Sequence, residues 1–227
     1  MSIWTRIAKA IDALTRGQTL ATLFEGFAKP PERSVAFTIA VIALGAKMAK
    51  ADGQVTRDEV AAFRRVFRIA PNEADNAARV FNMARQDIAG FESYAARIGS
   101  LLQQDRQLRI DLMEGLFHIA LADGNFHPGE DVFLQRVAEL IGLDHGCFQS
   151  LKARHVAAEE FDPYAVLGIG PDASPAQARA AWRQLVRDMH PDGMLARGVP
   201  PEAVRLAEER LATINQAWDA IQRNRAP

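Results

Sequence analysis

The chain has a single cysteine, Cys147, in 227 residues. One thiol excludes a disulfide framework and a paired-cysteine zinc site, and its place beside Phe148 predicts a buried thiol. Long apolar runs are also missing. The longest uncharged stretch, Ser34 to Ala46, is thirteen residues, whereas a membrane-spanning helix needs about twenty. Arg6, Lys9, Asp12 and Arg16 interrupt the first twenty residues, so neither a spanning helix nor a secretory signal is expected there and the expected location is cytoplasmic. No excess of charge stands out: 27 basic against 28 acidic residues leave a formal net charge of −1. Without a basic run carrying interleaved aromatics, no nucleic-acid partner is expected. A glycine-rich phosphate loop, a nucleophile elbow and a dense metal-ligand cluster are absent too, so the sequence predicts no enzymatic activity and no cofactor.

What is present is helical. Apolar residues make up 48% of the chain, enough for real cores, and their spacing predicts an all-α protein. Near the C-terminus Ser174 is a natural N-cap, Pro175 fills the first helical position and Gln177 completes a capping box. From there Ala178, Trp182, Leu185, Val186 and Met189 form an apolar stripe, while Arg179, Arg183 and Arg187 fall four apart on another face. A second amphipathic stretch carries Val204, Ala207, Leu211, Ile214, Trp218 and Ile221 in steps of three and four, the seam of a helix packed antiparallel on its neighbour. A short segment, Pro163 to Leu167, can lie across both through Tyr164, Val166 and Leu167.

Between the two long helices stands His190-Pro191-Asp192, followed by a predicted loop holding Gly193, Gly198, Pro200 and Pro201. Pro191 fixes its own φ and pushes His190 out of the helical region, so a helix ends there and a stiff polar corner projects. A rigid exposed corner suits protein recognition, because little ordering entropy is lost on docking.

These residues carry a family resemblance. With DPYAVLGI from Asp162, AAWRQLVRDMHPD ending at Asp192 and INQAWDAI from Ile214, the segment 162–227 resembles a J domain, the helical-hairpin module by which Hsp40 co-chaperones act on Hsp70. The long Gly-Pro-Pro loop in HPDGMLARGVPPE resembles the DjlA type, although Trp182 stands where a Tyr is usual and Gly193 where a Lys is common. The resemblance implies that His190, Pro191 and Asp192 contact a DnaK-type Hsp70 near its interdomain linker and promote ATP hydrolysis there. It also implies that Arg179, Arg183 and Arg187 meet an acidic surface, setting encounter rate more than affinity. From Phe161 to Pro227 eight basic and eight acidic residues balance, so any such polarity is local. The zinc-binding and Gly/Phe-rich regions of the larger Hsp40 proteins are missing.

Upstream, residues 34–154 predict a helical bundle with an internal echo. AKADG at Ala49 to Gly53 recurs as ALADG at Ala120 to Gly124, each with a Glu seven residues after its Asp: Asp52 to Glu59, Asp123 to Glu130. An amphipathic helix follows each turn, with Val60, Phe63 and Phe67 in the first copy and Val132, Phe133, Val137 and Leu140 in the second. Further helices are expected around Val80, Phe81 and Ala84, and around Tyr94, Ile98 and Leu101. The paired turns resemble the TerB-like, tellurite-resistance domain, and TerB-like then J is the order of DjlA-type proteins.

Because some TerB-like domains are associated with divalent cations, Asp52, Glu59, Asp123 and Glu130 become metal candidates by resemblance. Local chemistry offers another account: Thr56 with Glu59 is a capping box, Glu130 takes the matching position after His127 and Pro128, and Asp-Gly is ordinary turn chemistry. A hard cation wants six or more oxygens, so no metal is expected, and His118, His127 and His145 read as cap or packing residues.

The expected organisation is an amphipathic segment and linker at 1–33, a TerB-like domain at 34–154, a linker at 155–161 and a J domain at 162–227. DjlA-type proteins usually carry a transmembrane anchor at the N-terminus; here Trp4, Ile7, Ile11 and Leu14 form only an apolar side opposite basic residues. That side suits a bilayer surface, a partner, or the helical domain itself. The expected function is Hsp70 co-chaperone, with the TerB-like domain giving localisation, client contact or self-association. An interaction scaffold with a non-stimulating J-like module and a cation-binding stress protein are the alternatives.

Overall fold

The computed structural model describes residues 32–51, 90–121, 124–156, 161–199 and 201–224. Among them there are helices and no strands: α1 (Glu32–Ala51), α2 (Phe91–Leu101), α3 (Arg106–Ala120), α4 (Pro128–Leu140), α5 (His145–His155), α6 (Pro163–Leu167), α7 (Pro175–Asp188), α8 (Pro191–Arg197) and α9 (Pro201–Arg223). Side-chain caps set many of the starts. Asp105 accepts the N–H of Leu108, Asp144 that of Cys147, and Asp162 those of Tyr164 and Ala165. Ser174 and Gln177 close the expected capping box, and Pro175 stands at the first helical position, where its missing N–H costs nothing.

The thirteen-residue uncharged run lies inside α1, and Val41, Ile42, Ala43 and Leu44 are fully buried in succession. A helix apolar on every side belongs at the centre of a bundle. Around it stand α2, α3 and α4, with Leu108, Leu112, Met113 and Leu116 of α3 and Leu134 and Val137 of α4 completely enclosed. Phe117 is the aromatic hub, stacked on Phe126 and His155 and tilted against Phe148. Among the described residues no helix is long and apolar enough to cross a membrane.

The C-terminal module is the expected hairpin. Helices α7 and α9 pack together, Trp182 stacks on Trp218 at 5.3 Å between ring centroids, and the Trp182 indole N–H donates to Asn215 at 2.9 Å. Val204, Ala207, Ile214 and Ile221 are buried, with Leu211 and Trp218 packed half-buried beside them. Helix α6 crosses α9 and also rests on α5 of the bundle, so one apolar cluster runs from α1 through to α9.

Polar contacts complete the junction. Ser150 Oγ and Arg154 Nε both donate to the Val166 carbonyl, and Arg210 donates to the Arg154 carbonyl. Gly168, at φ +70°, ends α6 against Ser150; only glycine takes that conformation without strain.

Four expectations change. The predicted loop after the tripeptide is helix α8, because Pro191 starts a helix as readily as it ends one and His190 caps it. His155, expected in a linker, lies in α5, and its side chain is 1% exposed. Val132 faces solvent at 72% exposure while Phe133 and Val137 are buried. Cys147 is half-buried rather than enclosed, and burial still pushes its thiol pKa up. The N-terminal segment 1–31, with Trp4, Ile7, Ile11 and Leu14, lies outside the described residues, as do the helices expected after the first turn and around Val80.

Candidate functional site

Helix α7 ends at Asp188, with Met189 as its C-cap. His190 leaves the helical region at φ −65°, ψ 131°, as the proline after it requires. Its ring Nδ1 accepts the Asp192 N–H at 3.2 Å, which puts the ring proton on Nε2 in the neutral form. The His190 carbonyl accepts the Met194 N–H, and the Val199 N–H returns to the Met194 carbonyl. Met194 and Val199 are buried, so α8 is pinned by apolar contacts on one side. On the other side the corner is open, with the His190 side chain 62% and that of Asp192 89% exposed.

Arg179, Arg183 and Arg187 all lie exposed on α7. Arg187 donates to the Gln184 amide oxygen, and Gln184 donates in turn to Asp188. Arg179 and Arg183 border a shallow groove whose apolar wall is Trp182, Trp218 and Ile221. The flank of α7 carrying Ala181, Gln184, Leu185 and Asp188 borders a separate groove, whose far wall is α3 and α5 of the bundle. Of the six residues singled out in the sequence, the three arginines, His190 and Asp192 are exposed and Pro191 is half-buried.

Two polar clusters between the modules were not foreseen. Arg197 of α8 reaches Asp111 of α3 with Nε to Oδ2 at 3.0 Å and Nη2 to Oδ1 at 3.3 Å, and the same Nη2 donates to the Asp188 carbonyl at 2.7 Å. Burial raises the Asp111 pKa, Arg197 and Gln107 lower it, and the balance stands at about 6. In the second cluster Glu114 accepts from Arg154 at 3.0 Å and contacts the His155 ring Nε2. Burial works against the Glu114 charge, yet His155, Arg154 and Arg210 outweigh it and hold the carboxyl below its usual range. Burial, opposed by Glu114 and assisted by the two arginines, keeps His155 neutral to lower pH than usual.

Of the four metal candidates, one lies among the described residues. Glu130 is buried and accepts the His127 N–H at 2.9 Å, a capping role, while Asp52, Glu59 and Asp123 lie outside the described residues. Gly124, at φ +87°, supplies the turn expected of it. Among the described residues no group of three or more His, Cys, Asp or Glu side chains could hold a metal ion.

Residues 38–153 match the family described as tellurite resistance protein TerB. The chain belongs to the TerB family. Residues 162–226 match the DnaJ domain, so a J domain follows the TerB domain in the order of DjlA-type proteins. The proteins named Co-chaperone protein DjlA are similar over most of their length. That of Aliivibrio fischeri is 26% identical over 90% of this chain and 84% of its own. That of Vibrio parahaemolyticus is 25% identical over 87% and 82%, and that of Shewanella oneidensis 25% over 78% and 74%. No solved structure matches the chain. In these terms α1 to α5 belong to the TerB domain, α6 to α9 to the J domain, and both unforeseen clusters lie where the two domains meet.

Proposed function

We propose that this protein is a co-chaperone of a DnaK-type Hsp70, which it engages through its J domain and whose ATP hydrolysis it stimulates. The observation that carries the reading is the corner His190-Pro191-Asp192, rigid in backbone and open in side chain, at the end of a helix with an exposed arginine row. Pro191 and the hydrogen bond from Asp192 to His190 fix the corner before any partner arrives, so docking loses little entropy. The arginine row suits an acidic partner surface and would raise the encounter rate. The ATPase site belongs to the partner, and the TerB domain serves localisation, client or partner contact.

The test is single-turnover ATP hydrolysis by a bacterial Hsp70 with the full chain and with His190→Gln, both checked for fold by circular dichroism. Stimulation by the first and not the second is the expected result. Stimulation by neither, across several Hsp70 partners, would sink the reading and favour a scaffold that binds without stimulating.

A further inference from the structure

The corner is held from outside its own domain. Arg197 presents two nitrogens to the two oxygens of Asp111, a fork geometry that fixes the direction of the guanidinium as well as its position. Its Nη2 also reaches the carbonyl of Asp188, two residues before His190. One guanidinium thus ties the end of α7 and the end of α8 to a carboxylate on α3, and His190-Pro191-Asp192 lies between the two tied points. Gln107, one turn back on α3, donates to Asp111 Oδ1 at 3.3 Å and steadies the carboxylate. Asp111 is 5% exposed. Polar contacts at Val166 and Arg154 also join the domains, and these hold α6 and α9 rather than the corner.

We propose that Asp111 of the TerB domain is a positioning residue for the J domain, acting through Arg197 to set the His190-Pro191-Asp192 corner, so that the recognition surface is completed only when the two domains are docked. The inference rests on the Hsp70 reading for its functional consequence and on geometry alone for its structural one. Stability is a poor account of the pair. Burial outweighs Arg197 in its effect on Asp111, and buried ion pairs often add no net stability over uncharged replacements. Two charged groups held in a fork do restrict where a loop can sit. The exposed arginine row lies clear of the groove that α7 shares with the TerB domain, so docking of the domains leaves that row open to a partner.

The test uses the full chain, with Asp111→Asn and Arg197→Lys. Asparagine brings an N–H2 against the guanidinium and lysine lacks the fork, so each breaks the two-point contact with little change in volume. Hydrogen exchange is read at the amides of Met194, Gly198 and Val199, whose bonds close α8. Losing a charge-assisted hydrogen bond should speed exchange there about tenfold in both variants, with α9 and α3 unchanged. Single-turnover ATP hydrolysis by the Hsp70 should show maximal stimulation reduced about tenfold while the concentration for half-maximal stimulation changes less than about threefold, because the arginine row still docks.

Unchanged exchange at the three amides overturns the proposal, and so does equal acceleration throughout the molecule, which would mark a merely structural pair. Faster exchange at the corner with undiminished stimulation overturns its functional half. If the unaltered protein fails to stimulate any Hsp70, the co-chaperone reading falls, and the exchange pattern alone decides whether Asp111 sets the corner. Should Asp111→Asn fail to fold, Arg197→Lys carries both measurements.

Discussion

Asp111 should make the domain junction sensitive to pH in a direction opposite to most paired carboxylates. Its pKa in the folded protein is about 6 against 3.8 for an ordinary aspartate, so the folded state holds the proton more tightly than the unfolded chain does. A group raised in this way contributes stability that is complete below about pH 4 and is lost as pH rises through about 6. The difference between the two states is worth about 3 kcal/mol, of which about half disappears between about pH 5 and pH 7.5. Asp111→Asn cannot titrate and lacks this slope. The assay is urea unfolding of the unaltered protein and the variant at both pH values, with far- and near-ultraviolet dichroism checked for coincident transitions. Glu114, held below its usual range, loses its contribution as pH falls, but it does so in both proteins and cancels in the comparison. The unaltered protein should lose about 1 kcal/mol relative to Asp111→Asn on going from about pH 5 to pH 7.5. A difference that stays constant, or that moves the other way, would mean that Arg197 outweighs burial and would refute the reasoning.

Gly168→Ala places a Cβ 3.0 Å from Ser150 Oγ on a backbone at φ +70°, which should cost about 1–2 kcal/mol and lower the melting temperature. Trp182→Phe keeps an aromatic ring against Trp218 but loses the hydrogen bond to Asn215; on this exposed face chemical denaturation should show a loss of about 1 kcal/mol. Cys147, with its thiol pKa raised by burial, should react with iodoacetamide at about pH 7.5 more slowly than a free cysteine and speed up on unfolding.

Local features were visible in the sequence. Ser174, Pro175 and Gln177 mark a helix start because the groups that cap it lie within three residues, and the three-four spacing from Val204 to Ile221 marks a buried seam for the same reason. Helix α8 escaped because seven residues span too few turns to show a period, and because Gly193 and Gly198 resemble loop composition. Only Gly198 behaves so: it takes φ +91° and ends the helix, whereas Gly193 lies within it. Val132 misled in a similar way, since one exposed valine next to a buried Phe133 does not disturb the pattern of a helix.

His155, Asp111 and Arg197 were hidden for a different reason. Each belongs to a contact that crosses the fold: Arg197 and Asp111 are 86 positions apart, and Arg154 and Glu114 are 40. Nothing at either end of such a pair announces its partner, because a lone Asp on α3 and a lone Arg on a short helix both read as solvated charge. His155 looked like the start of a linker because the ring of Phe117 that covers it comes from a distant part of the chain. The residues proposed to touch a partner are therefore clustered in sequence, while the residues proposed to hold them in place are dispersed. It follows that a motif such as His190-Pro191-Asp192 can be found without knowing what braces it. Two chains with the same tripeptide can then differ in how firmly the corner is set, and in this one a carboxylate from another domain sets it.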